Sequence, residues 1–294
     1  MLFLLWMRYL YKLIRYVLVF ISNWRANLIT EKIQLSIGKT LTAISFGFLL
    51  GIAAGLIGVG GGEFRTPILL YVIGLPVITA IAVNLLVGLL TVVVSFLRRF
   101  HLGLLNGHSL NLALIMSLTS IAGAYLGALL AGKIPEKPLK RILAIFLIVV
   151  GLKIGLEPFT EPPVIFYFTL GFVEEIALAA LVGLAIGIIS GALGVAGGEF
   201  RIPVLIYVFS LDIVAAGTIS LLVSIPTVAS GFLKHHNMGH MNRTATLIAI
   251  TMGIGSVLGA FAGASYAGVV EEDMLKILLG AILILATVRM VTEP

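Results

Sequence analysis

Six stretches of this chain run for more than 20 residues without a formally charged side chain, which is about the length that an α-helix needs to cross a bilayer. Two further apolar segments, 138–156 and 274–292, carry cations only near their ends, from where such side chains can reach the membrane interface. Charged residues make up 11% of the sequence, against about 25% in soluble domains. We therefore predict an all-α, polytopic helical membrane protein. The six stretches are 40–62, 66–97, 100–132, 176–198, 213–233 and 244–270.

The composition also narrows the classes of function. The net charge of +6 comes from cations in short loops and near the N-terminus, which is typical of membrane topology and not of a nucleic-acid surface. The absence of cysteine excludes disulfides, thiolate metal sites and cysteine nucleophiles. We find no catalytic constellation and no Walker-type phosphate loop. The prediction is therefore a non-enzyme without cofactor or metal, whose partners are the lipid bilayer and a small solute. The oligomeric state stays open.

One decapeptide occurs twice in this apolar chain. Gly58-Val-Gly-Gly-Gly-Glu-Phe-Arg-Thr-Pro67 returns 136 residues later as Gly194-Val-Ala-Gly-Gly-Glu-Phe-Arg-Ile-Pro203. Over 55–75 against 191–211, 13 of 21 positions are identical. The same offset relates Gly123-x-x-x-Gly127 to Gly259-x-x-x-Gly263, small-residue patterns that we assign to contacts within the chain. The protein is therefore predicted to be a duplication.

The duplication divides the chain into four parts. Residues 1–37 form an N-terminal extension, 38–156 the first transmembrane repeat, 157–173 a linker and 174–294 the second repeat. In the extension, Arg8, Lys12 and Arg15 have near-helical spacing among aromatic and aliphatic residues, which favours an amphipathic helix at the cytoplasmic interface. An extra, irregular span is the alternative.

The flanking charges favour inverted repeats. The flanks of the first repeat are basic and those of the second are acidic, and lysine and arginine mark the cytoplasmic side. Inversion needs an odd number of crossings per repeat. A helix 40–57 that breaks at the glycines, a return segment 67–74 and spans at 77–97, 109–131 and 138–156 satisfy this. Arg98, Arg99 and His101 then fall outside, against the rule. Four crossings per repeat, which make the halves parallel, are the alternative.

The repeated motif has the parts of an anion site. Consecutive glycines allow backbone N–H groups to turn toward one point, and an arginine adds a planar fork suited to oxyanions. We place Pro67 and Pro203 at the first position of a helix whose positive end faces the glycines. The candidate substrate-binding residues are Gly60, Gly61, Gly62, Arg65 and Asn84 in the first repeat and Gly197, Gly198, Arg201 and Ser220 in the second.

The charged residues of the motif have other interpretations. Glu63–Arg65 and Glu199–Arg201 can neutralise each other, and Glu63 and Glu199 are also candidates for carrying a coupling proton. Thr91 aligns with Thr227, as Asn84 does with Ser220, so these residues can line a path or bond between helices. We assign Lys234, His235, His236 and His240 to a solvated loop and not to a metal site.

The duplicated Gly-x-Gly-Gly-Gly-x-x-x-x-Pro pattern, with Ala196 for one glycine in the second copy, resembles the sulfite exporter TauE/SafE family, also called the 4-toluene sulfonate uptake permease family. Gly217-Thr-Ile-Ser-Leu-Leu-Val223 and Gly123-Ala-Tyr-Leu-Gly127 are also similar to that family, over 38–292. The resemblance implies a carrier of sulfite, sulfonates or related sulfur-containing or organic anions.

These observations together predict a secondary transporter of a small anion in the cell (plasma or inner) membrane, with a cytoplasmic N-terminus. Its site is formed by the two glycine–arginine turns, and it works by alternating access. An anion channel or a channel-like exchanger is the alternative.

Overall fold

A computed structural model describes residues 37–105, 107–130, 136–160, 171–193 and 195–292. The expected interfacial helix of the N-terminal extension lies outside these residues, as does most of the linker. Within the described residues, seven helices are long and apolar enough to cross a membrane. The prediction of an all-α, polytopic membrane protein is confirmed.

Each repeat contains a long helix, a short helix and three further long helices. The first repeat has α1 (Ile37–Ile57), α2 (Gly62–Pro67, continued by a π-helix Ile68–Val72), α3 (Val77–His101), α4 (Gly107–Leu130) and α5 (Glu136–Leu156), followed by a 3₁₀ turn, Glu157–Phe159. The second has α6 (Phe172–Leu193), α7 (Gly198–Tyr207), α8 (Ile213–Asn237), α9 (Arg243–Tyr266) and α10 (Glu272–Thr292). These long helices match the predicted spans to within a few residues at most ends.

Helices α1 and α2 form a hairpin. Two glycines with positive φ, Gly58 at 97° and Gly61 at 69°, reverse the chain between the helices. After α2, the chain has returned to the beginning of α1, because Lys39 Nζ donates a 2.8 Å hydrogen bond to Ile73 O. The return begins at Gly62 and not at Pro67, so the predicted return segment starts too late. A hairpin followed by three long helices is the arrangement that inversion requires.

The two repeats exchange their packing partners. Helix α1 of the first repeat packs on α9 of the second, and α6 of the second packs on α4 of the first. The equivalent helices α3 and α8 pack on each other, as do α5 and α10. Each interface therefore has a counterpart under exchange of the repeats. The centre of the molecule lies between α3 and α8, which are the most buried of the long helices.

Glycines allow the exchanged helices to touch. A Cβ atom at Gly51 would lie 2.4 Å from Ser256 O, and one at Gly259 would lie 2.0 Å from Phe48 O. In the other interface, a Cβ atom at Gly123 would lie 2.2 Å from Leu184 O. Such distances exclude any side chain without separation of the helices. The predicted role of these small-residue patterns in contacts within the chain is confirmed for Gly123 and Gly259.

The relative directions of the helices bear on inversion. Along the α3–α8 contact, Gly88 faces Val228 and Leu85 faces Gly231, so residue numbers rise in one helix as they fall in the other. These helices are equivalent in the two repeats, and they are antiparallel. Inverted halves produce this geometry, whereas halves related by an axis along the membrane normal would make equivalent spans parallel. The packing supports inversion, which stays a prediction until the ends are placed relative to a membrane.

The basic residues that oppose the charge rule are built into the interior. Arg99 is fully buried, and its guanidinium donates four hydrogen bonds, to Gly55 O, Leu56 O, Val214 O and Thr218 Oγ1, at 2.8–3.1 Å. Arg98 Nε donates to Ser265 Oγ at 2.8 Å, and its guanidinium lies 4.8 Å from the Phe261 ring centroid. Both guanidinium groups therefore have protein partners and are weak evidence on topology.

The histidine cluster differs from its expected conformation. Lys234, His235 and His236 form the last turn of α8, because the helix continues to Asn237. Only His240 lies in the following loop, where its Nδ1 is 3.1 Å from His235 Nδ1. The assignment of the first three to a loop was wrong. No group of three or more metal-ligating side chains occurs in the described parts of the chain.

Candidate functional site

The two repeated motifs touch each other at the centre of the molecule. A Cβ atom at Gly60 would lie 2.8 Å from Ala196 Cβ, and one at Gly198 would lie 3.4 Å from Val59 Cα. All four residues belong to the two motifs, and Gly60 and Ala196 occupy equivalent positions. The fold therefore brings together the two sets of residues that the sequence singles out, although they are 136 positions apart.

A left-handed glycine starts the short helix in each motif. Gly61 has φ 69° and ψ 13°, and Gly197 has φ 75° and ψ 9°, a conformation that costs any residue with a Cβ about 1 kcal/mol or more. The first helical hydrogen bonds follow at once, from Arg65 N to Gly61 O and from Arg201 N to Gly197 O. The predicted glycine turns therefore exist in both copies.

The next glycine in each motif allows close packing on a central helix. A Cβ atom at Gly62 would lie 2.9 Å from Asn84 Nδ2 of α3, and one at Gly198 would lie 3.1 Å from Ser220 Oγ of α8. The predicted polar residues Asn84 and Ser220 are thus placed directly against the turns. The alignment of these two positions between the repeats corresponds to equivalent places in the structure.

Neither proline begins a helix, so the prediction for Pro67 and Pro203 was wrong. The helices begin at Gly62 and Gly198, and each proline is the sixth helical residue. Because proline lacks an N–H, it cannot donate to the carbonyl four residues earlier. In the first repeat the α-helix ends at Pro67 and a π-helix follows, whereas α7 continues to Tyr207. The short helices are therefore unequal.

The guanidinium of Arg65 is fully buried and bonds to neutral oxygens. Its Nη1 donates to Asn84 Oδ1 at 3.1 Å and to Asn84 O at 3.5 Å. Its Nη2 donates to Gly60 O and to Thr91 Oγ1, both at 3.3 Å. Both terminal nitrogens are thus engaged, and only Nε has no hydrogen-bond partner among the described residues.

The guanidinium of Arg201 is equally buried but has fewer partners. Its Nη1 donates to Ser220 O and Ser224 Oγ, both at 3.0 Å. Its Nε and Nη2 have no hydrogen-bond partner within the described part of the chain, and neither has the hydroxyl of Ser220. Buried polar groups are normally paired, so these three atoms are suited to a ligand.

The two glutamates of the motifs are buried close to each other. Glu63 is 6% exposed and Glu199 is 1% exposed, and their carboxyl groups interact with one another across the repeat boundary. Neither Glu199 oxygen has a hydrogen-bond partner of standard geometry in the described regions. Mutual neutralisation of Glu199 and Arg201 through a direct hydrogen bond is therefore absent from this structure, and the two interact only at longer range.

Two threonines predicted as path-lining candidates hold helices together. Thr91 Oγ1 of α3 lies 3.0 Å from Ser256 Oγ of α9, and Thr227 Oγ1 of α8 lies 3.2 Å from Ser120 Oγ of α4. These two pairs are equivalent in the repeats. Their hydroxyl groups join the central helices to the exchanged helices, which favours the structural interpretation for both threonines.

A small cavity lies beside Arg65. It is about large enough for one water molecule. Its walls are mainly apolar, and the cavity is too small for a larger solute. The lining residues are Gly60, Gly62, Arg65, Asn84, Leu85, Gly88, Val92, Ala196 and Val228.

Sequence reasoning missed the role of Arg99. It was counted with the loop cations, whereas its four hydrogen bonds join the end of α1 to the beginning of α8. The equivalent residue in the second repeat is His235, whose Nδ1 lies 3.1 Å from His240 Nδ1. In the sequence, this role is indicated by the difference between Arg99 and His235 at equivalent positions of otherwise similar repeats.

Comparisons with known proteins agree with the motif pattern. The sequence profile described as sulfite exporter TauE/SafE matches residues 2–154 and 179–294, which include both copies of the decapeptide. The chain belongs to the TauE/SafE family. This TauE/SafE chain is therefore a membrane transporter and not an enzyme.

Curated proteins that are similar to this TauE/SafE chain are also named as membrane transporters. The chain is 29% identical over 263 residues to the probable membrane transporter protein ORF9 of Sinorhizobium sp, covering 85% of this chain and 93% of the relative. It is 26% identical over 231 residues to the probable membrane transporter protein YdhB of Bacillus subtilis strain 168, covering 78% and 91%. No solved structure matches the chain.

Proposed function

We propose that this TauE/SafE protein is a secondary carrier of a small anion, with its site at the junction of the two glycine–arginine turns. The observation that carries the proposal is the burial of two guanidinium groups, Arg65 and Arg201, in turns that touch each other. Their hydrogen bonds described above go to neutral oxygens. Buried cations are costly at membrane depth, and an anion that binds between them offsets that cost.

A carrier fits the structure better than an open channel. The centre holds a cavity of about one water molecule, so an anion can enter only after the helices move. Two equivalent turns that meet between exchanged repeats provide two related half-sites. Secondary transporters with inverted repeats commonly place their site at such a junction and expose it to each side in turn.

The substrate class follows from the arginine forks and from the family. A planar guanidinium suits the paired oxygens of carboxylates, sulfite and sulfonates. Sulfite, a sulfonate or a related sulfur-containing or organic anion is therefore the proposed substrate.

The orientation follows from the basic side chains. We place the helix ends that carry them, near Lys39 and at Lys234–Arg243, on the cytoplasmic side of the plasma or inner membrane.

Glu63 and Glu199 are the groups that we propose for proton coupling. A proton shared by two carboxylates that lie side by side in a low-dielectric interior relieves their mutual repulsion. Because the pair lies next to both arginines, the binding of the anion and the binding of the proton are coupled electrostatically.

Replacement of Glu199 by Gln should therefore abolish pH-driven accumulation of the anion, while anion exchange at symmetric pH continues.

Counterflow in proteoliposomes tests the proposed function. Vesicles loaded with unlabelled sulfite should take up external radiolabelled sulfite at a saturable rate, and sulfate, thiosulfate, sulfonates and carboxylates are compared as competitors. The double variant Arg65→Gln/Arg201→Gln should reduce the rate at least about 100-fold, since both buried cations are lost. Unitary anion currents without counterflow, or counterflow that survives the double substitution, contradict the proposal.

A further inference from the structure

The two half-sites of the junction are chemically unequal. Arg65 uses both of its Nη atoms in bonds to α3 and to its own turn. Arg201 uses only Nη1, in bonds to α8. Both arginines are fully buried, so solvent exposure does not account for the difference.

The inequality lies at the Nη2 atoms, because Arg65 Nη2 donates to Gly60 O and Thr91 Oγ1 whereas Arg201 Nη2 has no hydrogen-bond partner among the described residues. The amide of Asn84 reaches Arg65 Nη1 at 3.1 Å. The equivalent residue, Ser220, has a shorter side chain, and its hydroxyl has no hydrogen-bond partner among the residues that the structure describes. In the first repeat, Thr91 also accepts from Arg65 Nη2, whereas its counterpart Thr227 accepts no bond from Arg201 Nη2, which has no hydrogen-bond partner among the described residues. The first half-site therefore satisfies its own cation.

The unpartnered atoms of Arg201 have the geometry of an oxyanion receptor. Nε–H and Nη2–H lie on the same edge of the guanidinium and donate in parallel, so they bind two oxygens of one anion together. Ser220 Oγ provides a third donor against Gly198, the first residue of α7. Helix α7 runs for ten residues, and its positive end adds to the attraction. In contrast, α2 has six residues.

We propose that the substrate anion binds in the second half-site, on the Nε–Nη2 edge of Arg201 and the hydroxyl of Ser220, and that Arg65 is a structural cation held by Asn84. This assignment rests on the proposed function and specifies which of the two arginines contacts the substrate. The ligand class is an oxyanion with at least two oxygens on one centre, such as sulfite, a sulfonate or a carboxylate.

The cavity beside Arg65 does not favour the opposite assignment. Leu85, Val92, Ala196 and Val228 form most of its wall, and it has room for about one water molecule. An anion there would give up its hydration for contacts with apolar side chains. The terminal nitrogens of Arg65 would also have to give up their present acceptors.

Lysine substitutions separate the two arginines while the charge is kept. Arg201→Lys removes the parallel donors, so the half-saturating concentration of sulfite in counterflow should rise about 10- to 100-fold. Arg65→Lys should raise it less than about 3-fold, although it lowers thermal stability. Ser220→Asn removes the hydroxyl donor of the proposed site, and it should also raise the half-saturating concentration about 10-fold.

The two polar residues beside the arginines provide a second comparison. Ser220→Ala removes a donor of the proposed site and should raise the half-saturating concentration of sulfite, whereas Asn84→Ser leaves Arg65 Nη2 bonded to Gly60 O and Thr91 Oγ1 and should change it less. Arg98→Lys, which is remote from the junction, is the control for expression and reconstitution of a variant, and it should leave uptake unchanged. Variants are compared only after size-exclusion chromatography shows a monodisperse protein. The maximal rate and the half-saturating concentration of sulfite are fitted as separate parameters.

Three outcomes decide between the proposals. A larger effect of Arg201→Lys than of Arg65→Lys supports the assignment. Equal effects, or a larger effect of Arg65→Lys, in a wild-type protein that transports sulfite overturn the assignment alone. A wild-type protein without saturable counterflow for any of the tested anions contradicts the proposed function, and the assignment with it.

Discussion

Arg98 and Arg99 are adjacent in sequence, but their guanidinium groups have different surroundings. Arg99 is fully buried and bonds to both repeats, whereas Arg98 is partly exposed, donates to Ser265 and lies against the Phe261 ring. Three of the four acceptors of Arg99 are backbone carbonyls, two of them at the end of α1, where helix carbonyls lack partners of their own. Arg99 therefore satisfies carbonyl groups at the end of α1 and joins that end to the beginning of α8.

At this scale, we expect Arg99→Met to destabilise the protein strongly. Loss of four buried hydrogen bonds should cost about 2–4 kcal/mol and lower the apparent Tm in detergent by roughly 5–10 °C. The matched substitution Arg98→Met should lower it by less than about 3 °C, because one bond and one ring contact are lost. Differential scanning fluorimetry measures both. Equal shifts would mean that the burial of Arg99 has no special role.

The sequence predicted the residues of the junction but not their individual roles. The duplicated decapeptide correctly indicated that Arg65 and Arg201 belong to related turns, because a repeat preserves local conformation. It could not show that the side chain of Asn84 accepts a hydrogen bond from its arginine whereas the hydroxyl of Ser220 has no partner among the described residues, since this depends on distances between helices. Pro67 and Pro203 were misplaced because the left-handed glycines start the helices five residues earlier.

At the scale of the helices, glycine rows hold the exchanged elements together. Helices α1 and α9 are in contact at Gly51, Gly55 and Gly259, where a Cβ atom would lie 2.0–2.4 Å from a carbonyl oxygen of the other helix. The hydropathy pattern predicted these helices because long uncharged stretches can form few structures other than helices in a bilayer. It could not predict which helices exchange partners, because apolar periodicity does not identify the neighbour.

Gly259→Ala should separate α1 from α9. The added methyl group meets Phe48 O at 2.0 Å, so the backbones must move apart, at a cost of about 1–3 kcal/mol. The neighbouring Leu258 is 58% exposed, and Leu258→Ala should change stability by less than about 1 kcal/mol. The fraction of folded protein after heating, read by fluorescence-detected size exclusion, measures the difference. An unaffected Gly259→Ala variant would contradict the described packing.

At the scale of the whole molecule, inversion predicts that equivalent loops lie on opposite sides of the membrane. The chain has no cysteine of its own, so introduced cysteines can test this prediction. Leu102 and Met238 follow α3 and α8 at equivalent positions, 136 residues apart, and both are exposed. If the halves are inverted, cysteines introduced at these positions face opposite sides of the membrane. The antiparallel packing of α3 and α8 and the return of the chain to Lys39 support this expectation.

Labelling intact cells with a membrane-impermeant maleimide should therefore modify Leu102→Cys and spare Met238→Cys. Inside-out vesicles should give the reverse result, since the end that contains Lys234 and Arg243 is expected in the cytoplasm. The cysteine-free parent is the background control. Labelling of both positions from the same side would contradict inversion and favour parallel halves.

The location of the bound anion tests the central claim most directly. Selenite has the shape and charge of sulfite, and its selenium scatters anomalously, so a crystal structure with selenite locates the ion independently of the protein density. We expect one anomalous peak beside the Nε–Nη2 edge of Arg201 and Ser220 Oγ, which disappears in Arg201→Lys. A peak in the cavity beside Arg65, or no peak at the junction of the two turns at selenite concentrations that saturate transport, would contradict the account.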